Sequence, residues 1–506
     1  MPLNTSTGQP AASTTIAGLL DACAETRPTR PLLCDTAGVT LTTAQVAATS
    51  SAASRWLCDA GVRPGMTVAW QLPAHINAAV TMLALSRLPV TQAPVLHLYR
   101  QREVSTALDV AHADILLTDK STAGNAPSNF PTVVLPDDFL EQLRSAHGTL
   151  PVPDRTHAPT APRWVYFTSG TTGRPKGVLH SDATLLSASR GYVRHLGVGT
   201  HPQEVGTIAF PIAHVGGMVF LAAAMLGDFP VLLIPKVSAD ELPILLAEHQ
   251  VTVTGASTAF YQMLVAAQTA APTGELLMPS LRMLIGGGAA CPPEVHRQVR
   301  RHLHIPVVHA YGMTEAPMVC VSESTDTEEQ LANSAGRPIP GAQLRVGPTG
   351  EIELCGNNVT PGYVDAEQWE RALTADGWFR TGDRGRLRAD GRIVVTGRTK
   401  DLIIRKGENI APDEIENELL AHPLVDEIAI LGQPDELRGE LVCAVVRRSP
   451  RHRDVTLDEL CAFLDERGLM KQKWPERLVV VDEFPLTGLG KVAKSELAQQ
   501  ITGGTR

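Results

Sequence analysis

Short apolar runs alternate with amphipathic stretches through most of the first 400 residues of the chain. The runs "PLLCD" at 31–35 and "MTVAWQL" at 66–72 predict strands, whereas "HINAAVTMLALSRL" at 75–88 predicts a helix. Alternation of strands with helices is typical of α/β layers with largely parallel sheets. Several later runs end in glycine or proline, and ligands of such sheets bind beyond the carboxyl ends of the strands. The pattern therefore predicts an α/β fold with a binding site at these strand ends.

The sequence changes character after Gly382. A segment with two apolar runs around a charged turn, "GRIVVTGRTKDLIIRKGENIAP", is followed by alternating helical and strand patterns such as "DEIENELLAH", "LVCAVVRR" and "TLDELCAFLDERG". Such an α+β set has the size of a small separate domain. We therefore place a boundary at Arg398–Asp401, which predicts a large domain at 1–399 and a small domain at 400–506.

Composition and charge limit the classes of function. A chain of 506 residues is too long for one ordinary core, so two or more domains are expected. A hydrophobic content of 43% with 19% charged residues describes an ordinary globular protein. The net charge of −9 argues against a general nucleic-acid binder, yet it leaves room for a local basic pocket that binds phosphates.

The cysteines and the apolar stretches bear on the compartment. The eight cysteines form no CxxC pair and have no histidine at zinc-ligand spacing, which predicts reduced thiols. The polar N-terminus lacks the pattern of a signal peptide. The most apolar stretch, Met218–Met225, is far shorter than the roughly 20 residues of a membrane helix. We expect a cytoplasmic protein without a membrane span.

The string "YFTSGTTGRPKGVLHS" at 166–181 combines glycines and hydroxyl side chains with Lys176. Backbone N–H groups in such a loop can surround an anion, and a lysine adds a point charge. The order of residues is not that of a Walker A loop. From these residues alone, phosphate binding and a plain surface loop are equal alternatives.

The whole string resembles the phosphate-loop motif of the adenylate-forming superfamily, which includes acyl-CoA synthetases. Further motifs of that superfamily follow in its order: "FPIAHVGGM" (210–218), "IGGGAAC" (285–291), "YGMTE" (311–315), "GEIELCGNNVTPGY" (350–363), "GWFRTGD" (377–383), "GRTKDLIIRKGENIAPDEIE" (397–416) and "LTGLGKVAK" (486–494). The resemblance covers essentially the whole chain. It implies a large N-terminal domain of α/β layered sheets with a β-barrel-like subdomain, and a small, mobile α+β C-terminal domain.

The resemblance implies ATP, Mg²⁺ and CoA as cofactors, and it implies their binding residues. The β- and γ-phosphates would be wrapped by Thr168, Ser169, Gly170, Thr171, Thr172, Gly173 and Lys176, with Thr171 also among the catalytic residues. The adenine would lie against Gly287, Gly288, Ala289, Tyr311, Gly312 and Thr314. Asp383 and Arg398 would hold the ribose, and Glu315 would hold the metal as a catalytic residue. A turn aspartate and a surface arginine are the plain alternatives for the ribose pair.

The implied roles in the C-terminal domain depend on a change of its orientation. Lys491 would act as the catalytic lysine in adenylation, and Lys400 would be the hinge about which the domain turns for thioester formation. Residues implied for CoA are Gly407, Arg405 and Lys406, with Lys471 and Lys473 as further candidates. Basic surface residues on an acidic protein are the alternative for any one of these cations.

The acid pocket is assigned by the same resemblance. Its wall would comprise His214, Val215, Met218, Ser257, Phe260, Gly286 and Ala316, with His214 also a catalytic candidate. The wall has no acidic side chain near His214, which favours an acid without an α-amino group. A core histidine is the alternative for His214. The apolar set indicates a hydrophobic acid of medium or large size.

The leading hypothesis is an acyl-CoA ligase that forms acyl-AMP and pyrophosphate, then acyl-CoA and AMP. The first alternative is an enzyme that stops at acyl-AMP or passes it to a carrier-protein thiol, an amine or a partner enzyme. A non-enzymatic binding protein is the second alternative, although Lys491, Glu315 and Asp383 are all retained. The predicted partners are a small carboxylic acid and CoA or a carrier protein, without nucleic acid. The oligomeric state stays open, with a homodimer as one alternative.

Overall fold

A computed structural model describes residues 14–145, 158–168, 175–272, 274–287, 291–405, 408–435, 439–487 and 492–503. Within these ranges no helix is both long and apolar enough to cross a membrane.

The first part of the chain alternates helices with short strands. Its elements are α1 (Ile16–Thr26), β1 (Pro31–Asp35), β2 (Thr40–Thr42), α2 (Thr43–Asp59), β3 (Thr67–Gln71), α3 (Ile76–Leu85), β4 (Thr91–Pro94), α4 (Gln101–Ala111), β5 (Ile115–Thr118), β6 (Thr132–Val134) and α5 (Phe139–Ser145). Thr42 starts α2 with a capping box, because its side chain accepts from the backbone of Gln45 while Gln45 accepts from the backbone of Thr42.

The same alternation continues to residue 338. The elements are β7 (Trp164–Thr168), β8 (Lys176–His180), α6 (Asp182–Leu196), β9 (Gly206–Ile208), α7 (Val215–Gly227), β10 (Val231–Leu233), α8 (Leu242–Glu248), β11 (Val253–Thr254), α9 (Thr258–Ala270), β12 (Met283–Gly287), α10 (Pro293–Leu303), β13 (Val307–Met313), β14 (Ala316–Val321), α11 (Glu328–Ala332) and β15 (Arg337–Pro338).

Two mostly parallel sheets share these strands. The large sheet has the order β15-β14-β13-β12-β11-β9-β10-β1-β2, and β1 through β13 of this order pair in parallel. The second sheet contains β8-β7-β4-β3-β5-β6, with parallel pairing from β7 to β6. One apolar core joins both sheets to α1, α2, α3, α6 and α7, and it buries Trp70 and Trp164 completely. The predicted α/β layers with largely parallel sheets are confirmed.

A smaller antiparallel unit follows the two layers. Its elements are β16 (Ala342–Val346), β17 (Glu351–Gly356), β18 (Gly362–Tyr363), α12 (Ala366–Arg371), β19 (Phe379–Leu387) and β20 (Ile393–Arg398). Strands β16, β17, β19 and β20 form an antiparallel sheet, whereas β18 leaves it and pairs with β8 of the second sheet. This exchange of sheets brings Tyr363 beside the strand that follows the glycine-rich loop.

The C-terminal domain has its own sheet and its own apolar clusters. A 3-10 turn at Thr399–Asp401 precedes its first strand. Its elements are β21 (Ile403–Arg405), β22 (Glu408–Ile410), α13 (Pro412–Leu419), β23 (Ile428–Asp435), β24 (Gly439–Arg447), α14 (Leu457–Glu466), β25 (Arg477–Val481) and α15 (Lys494–Gly503). Apolar clusters with α13 and α14, and with α15, pack on this sheet. The small α+β domain is as predicted, while its boundary between residues 399 and 400 stays a prediction.

Candidate functional site

The glycine-rich loop connects the two strands of a hairpin. Strand β7 ends at Thr168, strand β8 begins at Lys176, and these two residues face each other in the antiparallel ladder. The ends of the loop are therefore fixed by the second sheet. The loop residues Ser169, Gly170, Thr171, Thr172 and Gly173 lie outside the described residues.

Lys176 and Glu315 are connected through one tyrosine. The Lys176 ammonium lies 4.9 Å from the centre of the Tyr363 ring, and the Tyr363 hydroxyl donates to Glu315 Oε1 at 2.8 Å. Burial, followed by the charge of Glu315, raises the pKa of Tyr363, so this phenol keeps its proton and acts as a donor. Tyr363 thus fixes one carboxylate oxygen of Glu315 and presents its ring face to Lys176.

A buried histidine holds the turn that carries Glu315. The His180 side chain is fully buried, and its Nε2 lies 2.7 Å from the Thr314 carbonyl oxygen. Its Nδ1 lies 3.0 Å from the Thr184 hydroxyl. Burial lowers the pKa of His180 to about 4, so the ring is neutral near pH 7 and Nε2–H donates to the carbonyl. The β13–β14 turn is thereby attached to the strand that begins with Lys176.

A second set of contacts joins Tyr311 to the antiparallel sheet. The Tyr311 hydroxyl donates to Asp383 Oδ2 at 2.9 Å, and Arg398 Nε lies 3.2 Å from Asp383 Oδ1. Asp383 and Arg398 are also cross-strand partners in β19 and β20. The Asp383 side chain is 9% exposed whereas that of Arg398 is 50% exposed, so the arginine approaches a buried carboxylate from the surface. A carboxylate can accept from several donors at once, which is the chemical property expected of a residue that holds ribose hydroxyls.

Together these contacts form one connected path. It runs from the Thr168–Lys176 pair through Tyr363 to Glu315, along the β13–β14 hairpin to Tyr311, and from there to Asp383 and Arg398. We call this path the hairpin network. It brings together predicted phosphate, metal, adenine and ribose residues that the sequence separates by more than 200 positions.

The glycines of the predicted adenine site lie where the backbone is crowded. A Cβ atom on Gly287 would lie 2.3 Å from the Ala310 carbonyl oxygen, and one on Gly312 would lie 2.6 Å from that of Pro317. These positions therefore admit only glycine without a shift of the neighbouring strands. Gly288 and Ala289 of the same predicted site lie outside the described residues.

The residues around Glu315 fit a metal ion that is held partly by the protein and partly by the phosphate oxygens of a bound molecule. Glu315 is buried and offers hard carboxylate oxygens, which suit Mg²⁺. The described residues contain no group of three or more His, Cys, Asp or Glu side chains that could hold a metal. Mg²⁺ is commonly held by one or two carboxylates and by the oxygens of a bound phosphate, so Glu315 alone suits that mode.

His214 caps a helix at the edge of the predicted acid pocket. It is the N-cap residue of α7, and its Nδ1 accepts from the Gly216 backbone at 3.1 Å. The ring meets Phe210 edge-on at 6.4 Å. A Cβ on Gly217 would lie 2.1 Å from the Ile212 carbonyl oxygen, so this glycine permits the tight turn into α7.

The other predicted acid-pocket residues are partly packed into the core. Val215, Met218 and Ala316 are buried among apolar neighbours, Phe260 is also buried, and Ser257 and Gly286 are half-buried.

Beside this set lies a cavity of about 40 Å³ that sequence reasoning missed. We call it the α7 cavity, and its wall is formed by Tyr192, Thr207, Phe210, Phe220, Val253, Thr254, Gly255 and Ile285. None of the seven residues predicted for the acid pocket forms part of this wall. However, Ile285 directly precedes the predicted residue Gly286, and Phe210 contacts the predicted residue His214. Most of the pocket residues that the resemblance assigned lie within the motifs. The wall of the cavity also includes residues of β9 and β11, and these two strands lie outside the motifs.

The predicted CoA residues that the structure describes are engaged within the C-terminal domain. Arg405 forms an ion pair with Glu476 at 2.6 Å, and Lys473 forms one with Glu414 at 2.6 Å. Lys471 lies over the Trp474 ring at 5.4 Å. Lys406 and Gly407 lie outside the described residues, and so does the side chain of Lys400, whose backbone is in the 3-10 turn.

Lys491 also lies outside the described residues, but the segments on either side of it are in contact. Leu486 and Val492 form an antiparallel bridge, and the Ala493 backbone donates to the Pro485 carbonyl at 2.7 Å. Three residues beyond Lys491, Lys494 forms an ion pair with Glu416 of α13 at 2.6 Å. The segments that flank Lys491 are therefore joined to each other, and the one that follows it is attached to helix α13 of the same domain.

Two residues that hold Glu315 in place escaped sequence reasoning. Tyr363 is the last residue of the motif string at 350–363, but that string gave no role to it. His180 follows the glycine-rich loop on an apolar strand and carries no signal beyond its type. Both are recognisable only through their partners, Glu315 and Thr314, which are distant in sequence.

Comparison with known proteins gives two family matches. Residues 20–364 match the family model described as AMP-binding enzyme, and residues 414–491 match the model described as AMP-binding enzyme C-terminal domain. The first match alone covers more than half of the chain.

Individual relatives match the chain over nearly its whole length. A sulfoacetate–CoA ligase of Cupriavidus necator is 32% identical, over 97% of this chain and 98% of the relative. The crystal structure of ATP-bound MatB from Rhodopseudomonas palustris has a TM-score of 0.85 at 28% identity and covers 96% of this chain and 98% of its own. The o-succinylbenzoate CoA synthetase MenE of Bacillus subtilis, in complex with an acyl-adenylate intermediate, has a TM-score of 0.83 at 27% identity over 95% of this chain and 97% of its own.

Proposed function

We propose that this chain, which belongs to the AMP-binding enzyme family and is an acid–thiol ligase, activates a hydrophobic carboxylic acid through the residues of the hairpin network. The reaction has two steps. The acid and ATP give an acyl-adenylate and pyrophosphate, and the acyl-adenylate and CoA give acyl-CoA and AMP. The identity of the acid and the role of each residue are the parts that we infer.

The hairpin network is the observation that supports these roles. An adenylating enzyme must hold three phosphates, a ribose and a carboxylate in one arrangement, because the attacking oxygen and the leaving pyrophosphate have to be in line. In the network, the Thr168–Lys176 end would meet the phosphates, Glu315 would meet the metal, and Asp383 with Arg398 would meet the ribose. One continuous set of contacts connects these residues, which supports the three proposed roles.

In the first step, a carboxylate oxygen of the acid forms a bond to the α-phosphorus of ATP, and the bond from that phosphorus to the pyrophosphate oxygen breaks. Lys176 and the glycine-rich loop would neutralise the charge of the leaving pyrophosphate, and Lys491 would bridge the acid and the α-phosphate. Mg²⁺ at Glu315 would supply electrostatic stabilisation of the phosphates. His180 and Tyr363 would keep Glu315 in place for this role.

In the second step, the CoA thiol loses its proton to solvent and its sulfur forms a bond to the acyl carbon, while AMP leaves with the electron pair of the bond that joined it to the acyl group. Lys491 has no function in this step, so the C-terminal domain can turn about Lys400 and bring residues 402–410 to the site. This hinge remains our proposal.

The apolar character of the acid follows from the side chains near the pocket. The wall of the α7 cavity contains aromatic, aliphatic and hydroxyl side chains and no charged one. The relatives named above act on acids as different as sulfoacetate and o-succinylbenzoate, so family membership leaves the acid open. We also propose a cytoplasmic location, which is supported by eight free cysteines, all of them within the described residues.

The direct experiment is acid-dependent exchange of labelled pyrophosphate into ATP over a panel of carboxylic acids, followed by addition of CoA. We expect exchange with hydrophobic acids, and conversion to acyl-CoA and AMP once CoA is present. Exchange that persists while acyl-AMP accumulates in the presence of CoA would mean that the acyl group goes to another acceptor. Absence of exchange with every acid would refute the proposed function.

A further inference from the structure

We propose that the α7 cavity receives the distal end of the acid, and that Thr207 and Thr254 select an acid with an uncharged oxygen acceptor at that end. This inference rests on the proposed function, because it assigns the substrate class of the same site. Thr207 and Thr254 themselves lie outside every recognised motif.

The position of the cavity connects it to the acid site. Phe210 forms part of its wall and contacts His214, the residue that caps α7. Ile285 forms another part of the wall, and the next residue, Gly286, belongs to the predicted acid pocket. The backbone is crowded there, since a Cβ on Gly286 would lie 2.3 Å from the Ala256 carbonyl oxygen. The wall also takes Thr207 from β9 and Thr254 from β11, near the carboxyl ends of parallel strands, where ligands of such sheets bind.

The size of the cavity limits what can enter it. A volume of about 40 Å³ is well below the roughly 150 Å³ of a cavity that holds benzene. Phe220 closes one side, since it packs edge-on against Tyr192 and Phe229 at centroid distances of 6.3 Å and 5.9 Å. The cavity therefore suits the last few heavy atoms of a chain and excludes an aromatic ring.

Three side chains of the wall carry hydroxyl groups, Tyr192, Thr207 and Thr254, and the two threonine hydroxyls form a polar pair. Thr207 and Thr254 are buried, and their hydroxyl oxygens are 2.6 Å apart. Each hydroxyl has one hydrogen, and a pair uses only one of the two for the bond between them. The second hydrogen is directed elsewhere, and an acceptor in the cavity would satisfy it. A buried hydroxyl that finds no acceptor costs free energy, so an acid with an oxygen there gains over its hydrocarbon analogue.

The acceptor must be neutral. The wall of the cavity has no charged side chain, so a second carboxylate or an ammonium group would lose its hydration without an ionic partner. A ketone, ether or ester oxygen close to the end of an otherwise apolar chain meets both conditions. The substrate class is therefore an oxo- or alkoxy-substituted aliphatic acid.

The test compares pairs of acids by pyrophosphate exchange. One member is an oxo acid with the ketone next to its terminal methyl group, and the other has a methyl branch in place of the ketone oxygen. The series covers increasing chain length. At one length we expect the oxo acid to have a kcat/KM roughly five- to tenfold above its partner, the range of one neutral hydrogen bond.

Variants assign that preference to the two hydroxyls. The double variant Thr207→Val, Thr254→Val keeps the side-chain shape and removes both hydroxyls. We expect it to lose the preference for the oxo acid, so that the ratio of the kcat/KM values of the two acids falls to about one. The Thr207→Ser, Thr254→Ser variant should keep the preference. Thr81→Val is a matched control, because Thr81 is fully buried in α3 and its hydroxyl has no hydrogen-bond partner among the described residues.

The outcomes separate this inference from the proposed function. Exchange without any preference for oxo acids in the wild-type enzyme would overturn the inference and leave the function intact. The same conclusion would follow if the double valine variant kept the preference. Phe220→Leu adds a check on placement, since a wider cavity should shift the optimum to longer acids, and an unchanged optimum would show that the acid does not reach Phe220.

Discussion

At the residue scale, the candidate site depends on side chains that hold other side chains. Tyr363 donates to Glu315, His180 holds the carbonyl next to Glu315, and Tyr311 donates to Asp383. The sequence motifs predicted Glu315, Tyr311 and Asp383, since their types match known roles. They could not predict the supporting bonds, because those depend on which distant strands become neighbours.

Tyr363→Phe tests the support of Glu315. The change removes one hydrogen bond to a carboxylate, and bonds to charged groups contribute about 1.5–3 kcal/mol. We expect the Mg²⁺ concentration for half-maximal pyrophosphate exchange to rise about tenfold or more, with a smaller change in kcat at saturating Mg²⁺. A titration with Mg²⁺ at fixed ATP and acid measures this.

Tyr166→Phe is the matched control for that variant. Tyr166 is buried, and its hydroxyl has no hydrogen-bond partner among the described residues, so its removal should leave the Mg²⁺ dependence unchanged. Equal Mg²⁺ dependence in Tyr363→Phe and the wild type would show that the phenol does not position Glu315.

His180 makes stability depend on pH. Its pKa is lowered to about 4 in the folded state by burial, while the ordinary value is about 6.5. Between pH 6.5 and pH 4 this histidine binds a proton in the unfolded chain but not in the native protein. Its contribution to the free energy of unfolding is therefore complete above about pH 6.5 and is lost as the pH falls towards 4. His296, whose pKa burial lowers to about 3, acts in the same direction.

We therefore expect His180→Gln to lose less stability than the wild type between pH 7 and pH 5. The difference in slope is at most about 1.4 kcal/mol per pH unit. Thermal unfolding at both pH values measures it, with the exposed His201→Gln as control. Parallel losses in His180→Gln and the wild type would contradict the assignment.

At the element scale, most of the elements could be predicted from local pattern. The run "PLLCD" coincides with β1, and the predicted helix at 75–88 contains α3. The sequence could not predict that β18 pairs with the second sheet and not with its neighbours in the antiparallel region. A two-residue strand is too short to show a hydrophobic periodicity. That pairing is what places Tyr363 beside Lys176.

The turn at Thr399–Asp401 is the element where a hinge can be tested. Proline fixes φ and removes a backbone donor, so Lys400→Pro should resist a rotation of the C-terminal domain. We expect near-normal pyrophosphate exchange and a loss of at least about tenfold in acyl-CoA formation from supplied acyl-AMP. Lys400→Ala should keep both half-reactions. A Lys400→Pro enzyme with both half-reactions intact would place the hinge elsewhere.

At the scale of the whole molecule, the proposed reaction requires both domains. The hairpin network belongs to the large domain, whereas Lys491 belongs to a loop whose base is closed by Leu486 and Val492 in the small domain. The motif order predicted this division. The sequence could not predict how the domains meet, because no local pattern encodes a contact between separately folded units.

Lys491→Ala tests the contribution of the small domain. Loss of a cation that bridges the acid and the α-phosphate should lower pyrophosphate exchange by about 100-fold or more. Thioester formation from supplied acyl-AMP should remain, because that step does not use the lysine. Lys120→Ala, an exposed lysine of the large domain, is the control. Near-normal exchange in Lys491→Ala would remove this residue from the mechanism.

The α7 cavity and the hairpin network have no residue in common. Mutations that reshape the cavity can therefore accumulate in a lineage while the nucleotide chemistry is inherited unchanged. Under the proposal above, this separation lets the choice of acid change while the nucleotide site stays the same, and two relatives of the chain are named for acids as unlike as sulfoacetate and o-succinylbenzoate. In this chain, Thr207, Thr254 and Phe220 are the positions where we expect substitutions to have changed the choice of acid.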